Sequence, residues 1–434
     1  MFEKPYAFYI GGCDFDLSMI EIARGLECWP LPIMENPPKH VMAQLRPLPE
    51  FPIGEESETA VLHETLLHLN RISQQWEDDR TDEEKDAAAL IAGVPVEEQT
   101  DISEYSVEAK RISGWRYVSA ANGLVDEARG LDRDARSEKF QQAYEKFAEA
   151  VRIKPDNHDA LNNWGNALMN EAQGLDGGAR SEKFQQAYEK YAEAVRIKPE
   201  MHEAFYNWGA ALSDEAQGLD GDARSEKFQQ AYEKYAEAVR IKPDNHDALN
   251  NWGNALMNEA QGLDGGARSE KFQQAYEKYA EAVRIKPEMH EAFYNWGAAL
   301  SDEAQGLDGD ARSEKFQQAY EKFAEAVRIK PDKHEALNNW GAALSDEAQG
   351  LDGDAQSEKF QQAYEKLQRT KAIDGRASYN LACLHALVGE IGLALDELEQ
   401  CLKDRTLPDK NHISHDPDLV SVRASPRYIA LLEA

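Results

Sequence analysis

Five Trp-Gly pairs recur at a spacing of 44 residues, at Trp164, Trp208, Trp252, Trp296 and Trp340. A fixed period of this length confines the chain to an array of stacked units. One such unit cannot bury its own apolar face, and successive units bury a continuous core between them.

Within a unit, two blocks carry helical spacing. Leu161, Trp164, Leu168 and Ala172 recur on one face of the first block. Phe184, Ala187, Tyr188, Tyr191, Ala194 and Val195 do so in the second. Gly174 reads as the stop of the first helix and Pro199 as the end of the second. Each unit is therefore expected to be a helical hairpin with one apolar seam. Gly165 and Ala187 are small enough to let two helices approach closely, with Trp164 and Tyr191 filling the space between neighbouring hairpins.

The order Leu161, Trp164, Gly165, Leu168, Ala187, Tyr191, Ala194, Pro199 resembles the tetratricopeptide repeat, over roughly residues 114–404. The departure is length. The family period is 34 residues, so about ten residues are added between the Leu168 and Ala187 positions. The resemblance implies a mainly α, right-handed solenoid of about seven hairpins over residues 111–404, closed by a capping segment at 405–434. The first hairpin is degenerate, with Ala120 at the Trp position. Five more begin near His158, His202, His246, His290 and His334, and the last (377–404) returns to ordinary spacing. Residues 416–432 resemble the single closing helix of bacterial arrays of this family.

A second period overlies the first. Residues 151–238 and 239–326 differ only at Tyr235 against Phe323. Identity on exposed as well as core positions points to a tandem duplication, which weakens any argument that a repeated surface residue is functional.

The net charge of −32 argues against a nucleic-acid partner, which would need a basic stripe, and against an anionic membrane. Residues 1–110 hold 8 Lys+Arg and 23 Asp+Glu, so nearly half of that charge lies in a quarter of the chain. These residues do not repeat. Seven of the seventeen prolines fall in residues 30–52, and Ser57 to Trp76 reads as an amphipathic helix. A small α+β or irregular acidic segment is expected there. No signal peptide and no long apolar run is visible, so a cytoplasmic place is the expectation. Cys383 and Cys401 replace small core positions and are expected to be buried and reduced; Cys13 and Cys28 lack metal-ligand spacing.

The first helices of a tetratricopeptide stack line its groove. The residue before each Trp is Asn: Asn163, Asn207, Asn251, Asn295 and Asn339, with Asn380 in the last hairpin. A side-chain amide donates and accepts, so such a row can pair with an extended peptide backbone. It is similar to the asparagine ladder in the tetratricopeptide superhelix of O-linked N-acetylglucosamine transferase. The competing reading is that each Asn bonds the next hairpin and stabilises the stack. Around the row, Asn162, Asn166 and Asn170 in one unit alternate with Tyr206 in the next, then Asn250, Asn254 and Asn258 with Tyr294. Such a groove would take an uncharged to basic peptide segment.

No catalytic constellation, metal site or cofactor motif stands out. The histidines from His158 to His334 read as caps or packing at helix starts, and Asp220-Gly221-Asp222 as a turn rather than a calcium loop. The expected function is a non-enzymatic adaptor that holds a partner's peptide segment. The alternatives are an enzymatic or sensing N-terminal domain targeted by the array, and a scaffold that self-associates through its open ends.

Overall fold

The computed structural model describes residues 107–433, and all regular structure among them is helical. The expectations for residues 1–106 lie outside the described residues. The chain divides into two compact units, one ending at Pro199 and one starting at Glu200.

The first unit contains α1 (Val107–Ala128), α2 (Arg133–Ile153), α3 (His158–Ala172) and α4 (Gly177–Ile197), paired as two hairpins. The second holds four long hairpins: α5 (His202–Gln217) with α6 (Gly221–Ile241), α7 (His246–Gln261) with α8 (Gly265–Ile285), α9 (His290–Gln305) with α10 (Gly309–Ile329), and α11 (His334–Ala348) with α12 (Gly353–Asp374). A shorter pair follows, α13 (Tyr379–Leu387) and α14 (Ile391–Asp404), then α15 (Lys410–His415), a 3-10 helix (Pro417–Val422) and α16 (Pro426–Glu433). In each unit every hairpin packs on the next, as a repeat with a one-sided core requires.

One hairpin shows why the sequence folds this way. On α8, Phe272, Ala275, Tyr276, Tyr279 and Ala282 are all buried, spaced three and four residues apart on one stripe. Tyr279 lies directly on α7 at Gly253, where an added Cβ would come within 2.6 Å of the ring. The Trp-Gly pair thus leaves a seat for the aromatic of the partner helix. Burying a ring of this size contributes roughly 2–3 kcal/mol. Trp252, half-buried, stacks instead on Tyr232 of the preceding hairpin, with ring centroids 6.4 Å apart.

Three local expectations are corrected. The second helix, whose apolar spacing is read from Phe184 onward, begins at Gly177 with φ of +56°, a left-handed backbone that favours glycine and that Gly221, Gly265, Gly309 and Gly353 share in the hairpins that follow. The histidines occupy the first helical position, one beyond the cap. In two units the preceding asparagine caps the helix: Asn157 and Asn245 each accept from a backbone N–H three residues on, at 3.1 Å. Gly174 does not end α3 through a left-handed turn; an added Cβ there would stand 2.6 Å from the Arg136 guanidinium, which passes over it. That guanidinium donates to the main-chain oxygen of Asn170 at 2.7 Å and satisfies a carbonyl of the last turn of α3.

The tail also differs from expectation. Residues 416–432 are not one helix but the 3-10 helix and α16, separated at Arg423–Ser425. Pro426 has no N–H to continue a helix and disfavours helical backbone at Ser425, but suits the first position of a new one. Ile413, Leu419, Val422, Tyr428 and Leu431 pack on Ala382, Leu395 and Leu398 of the last hairpin.

Candidate interaction surface

In each unit the first helices of successive hairpins are neighbours, so residues at one register position form a row across them. In the second unit the asparagine row is stitched to the preceding hairpin. Asn251 Nδ2 donates to the Tyr206 hydroxyl at 2.7 Å, Asn295 Nδ2 to Asn250 Oδ1 at 3.1 Å, and Asn339 Nδ2 to the Tyr294 hydroxyl at 3.0 Å. Within a turn, Asn250 Nδ2 donates to Asn251 Oδ1 at 3.2 Å. The network therefore joins the Asn before each Trp to the residue before that Asn on the neighbour. Toward the cap it ends differently: Ser378 Oγ donates to Asn338 Oδ1 at 3.2 Å, and Asn380 stands half-buried on α13.

Valence leaves room for more. Asn251 has two amide hydrogens and two carbonyl lone pairs. One hydrogen goes to Tyr206 and one lone pair to Asn250. The side chains of Asn207, Asn251, Asn295 and Asn339 are half-buried, whereas Asn250 is buried within the network.

A step further along the helix, Asn254 accepts from the Tyr279 hydroxyl at 2.8 Å. Asn258 offers its main-chain oxygen to Arg224 at 2.6 Å. In the two hairpins that follow, the equivalent of Asn258 is an aspartate. Asp302 accepts from Gln261 at 2.6 Å and Asp346 from Gln305 at 2.8 Å, and burial pushes both carboxyls above the ordinary range.

The first unit repeats these features. Asn162 is buried and donates to Asn163 at 3.4 Å, and Asn166 accepts from the Tyr191 hydroxyl at 2.7 Å. Between α1 and α3 lies a cleft of about 330 Å³. Asn163, Asn166 and Asn170 line it from one side, and Asn122, Asp126 and Arg129 from the other.

Two sets of residues at the hairpin interfaces were not singled out from the sequence. Glu303, at 7% exposure, binds Lys315 at 2.6 Å and accepts from the Tyr276 hydroxyl of the preceding hairpin at 2.9 Å. Burial and Glu303 together hold that phenol far above its ordinary pKa, so it stays a donor. The same Lys–Glu–Tyr set recurs at Glu171, Glu259 and Glu347. Each Trp also carries a lysine over its open face, such as Lys322 at 4.0 Å from the Trp296 ring. The only hint in the sequence is a Glu twelve residues before a Lys, a separation that crosses a loop and belongs to no helical face.

Paired helices, a small residue under each seam aromatic, and a separate capping segment fix the repeat type. The hairpins have the fold of tetratricopeptide hairpins. A family model of the plant-specific mitochondrial import receptor subunit TOM20 matches residues 138–248. No curated protein is a match for the chain. Among solved structures, a tetratricopeptide repeat protein of Parabacteroides merdae is similar at 12% identity, over 70% of this chain and 99% of that one, with a TM-score of 0.42. A thermophilic TPR protein of Thermus thermophilus gives 12%, 53%, 98% and 0.37. YrrB, described as a TPR protein with an unusual peptide-binding site, gives 18%, 52%, 91% and 0.32. No helix among the described residues is long and apolar enough to cross a membrane.

Proposed function

We propose that the chain is a non-enzymatic adaptor whose first helices hold an extended, uncharged to basic peptide segment of a partner protein. One observation carries this reading. The asparagines before Trp252, Trp296 and Trp340 spend a single amide hydrogen on the neighbouring hairpin and keep the second on a half-buried face. The raised carboxyls of Asp302 and Asp346 on α9 and α11 favour a cationic side chain in the same segment. A cation placed there would favour their ionised form.

The test is a selection of displayed random peptides on the full chain. Recovered sequences should be enriched in Lys or Arg and depleted in Asp and Glu. Recovery should fail on an Asn251→Ala/Asn295→Ala/Asn339→Ala variant. A Tyr206→Phe/Tyr294→Phe control removes the stacking acceptors and leaves the amides, so it should still select peptides. If the asparagine variant recovers the same peptides, the row serves only the stack.

Self-association is the second reading. Leu393, Val420 and Ile429, in and around the capping segment, are each at least 50% exposed. Sedimentation of wild type against Val420→Asp/Ile429→Asp would decide it. The reading requires a concentration-dependent oligomer that the variant loses.

A further inference from the structure

We propose that Cys383, Asp416 and Asp418 form a zinc site that clamps the C-terminal segment to the last hairpin. The thiol and the two carboxylates offer ligand atoms that all lie within 4.8 Å of one another. They come from separate elements: Cys383 from α13, Asp416 from the turn before the 3-10 helix, and Asp418 from its first turn.

The arrangement is built rather than incidental. Cys383 is only 6% exposed, and its Sγ points at Asp416 Oδ2 from 3.7 Å. His412 Nε2 stands 3.7 Å from the same oxygen, with its ring edge-on to Tyr379 at 5.7 Å. Zinc bonds thiolate at about 2.3 Å and carboxylate at about 2.1 Å, so two tetrahedral ligands of one ion stand roughly 3.6 Å apart. Asp416 Oδ1 accepts from the Asp418 N–H at 2.9 Å and fixes the turn. The Tyr379 hydroxyl donates to Oδ2 at 2.5 Å. That is the outer-shell bond by which metal proteins orient a ligating carboxylate.

Burial and the neighbouring Asp416 and Asp346 carboxylates push the Asp418 carboxyl up to about 6, and the same surroundings raise the Cys383 thiol. The cationic or potentially cationic groups beside the carboxylate pair are His412, 3.7 Å from Asp416 Oδ2, and Arg423, which donates to the Asp416 main-chain oxygen at 2.7 Å. On zinc binding, Cys383 loses its thiol proton to solvent, and one sulfur and two oxygens supply three donors of the kinds zinc accepts. Magnesium and calcium, which take oxygen ligands, would not use the thiol.

The test uses metal-stripped full-length chain and cobalt(II) as the probe. One cobalt per chain should bind with thiolate-to-cobalt charge-transfer absorption and be displaced by zinc. The absorption should vanish in Cys383→Ser and persist in Cys401→Ser and in Cys13→Ser/Cys28→Ser. Tyr379→Phe should weaken binding about 10–100-fold, as loss of an outer-shell partner does. Zinc should raise the Tm of wild type and leave that of Cys383→Ser unchanged. If Cys383→Ser does not fold, Asp418→Asn takes its place and should lower cobalt affinity at least as far as Tyr379→Phe. No charge-transfer absorption, the same absorption in Cys383→Ser, or an unchanged affinity in Asp418→Asn would overturn the site.

Discussion

Gly253 and Gly266 sit in the same hairpin and have opposite tolerance for a methyl group. At Gly253 an added Cβ meets the Tyr279 ring at 2.6 Å; at Gly266 nothing lies within 4 Å and φ is not left-handed. Gly253→Ala should therefore destabilise by about 1–3 kcal/mol through overpacking. Gly266→Ala should be neutral or stabilise by about 0.4–1 kcal/mol through the unfolded chain. Urea denaturation of the two variants checks this, and equal costs would contradict the seat assigned to Gly253. The duplication has already made one comparison: Phe323 fills the place of Tyr235, and both are fully buried against a Trp-Gly pair. Tyr235→Phe should shift stability by no more than about 1 kcal/mol, the net worth of one hydrogen bond. The close approach at each Trp-Gly pair was legible because a small residue recurred beside a large one. The role of Gly174 was not, because Arg136, the side chain that requires it, comes from another hairpin.

Between helices, polar groups decide what apolar spacing does not. Lys315 is the cation on Glu303, and removing it leaves a buried carboxylate with only the Tyr276 hydroxyl. Breaking a buried pair costs about 3–5 kcal/mol; the lysine is partly in water, so Lys315→Ala should fall near the lower figure. Thermal unfolding measures it, and a loss below that of an ordinary surface substitution would contradict the assignment. Asp302 and Asp346 give a pH dependence of opposite sign to a salt bridge. Burial raises both carboxyls in the folded chain above the ordinary value of 3.8. The folded state then binds more protons than the unfolded one in the window just above that value, so stability falls as pH rises through it. Asp302→Asn/Asp346→Asn should raise Tm at neutral pH and change it little in acid below 3.8. A Tm gain that is independent of pH would point to packing instead. The helices themselves were legible to within a few residues because their stripes repeat five times. The Lys–Glu–Tyr set was hidden because its members lie on three helices.

At the scale of the molecule, the near-identity of residues 151–238 and 239–326 makes the array divisible. Deleting 239–326 joins Ala238 to Val327, recreating the junction present between Ala326 and Val327. A repeat stack is stabilised by each unit and its nearest neighbours. The shortened chain should keep its helicity per residue and unfold at a lower temperature. Loss of folding would show that the copies are not equivalent. The repeated helix pairs could be read from the sequence, because they follow from spacing. The broken tail and the convergence of Cys383 on Asp416 could not, since they depend on the path of the chain after Asp404. The central claim is that the asparagine row grips peptide backbone as well as neighbouring hairpins. Its most direct measurement is calorimetric binding of one display-selected basic peptide to the full chain and to Asn251→Ala/Asn295→Ala/Asn339→Ala. Losing three amide contacts at about 1 kcal/mol each should weaken binding roughly a hundredfold. The same affinity in both proteins would confine the row to holding the stack together.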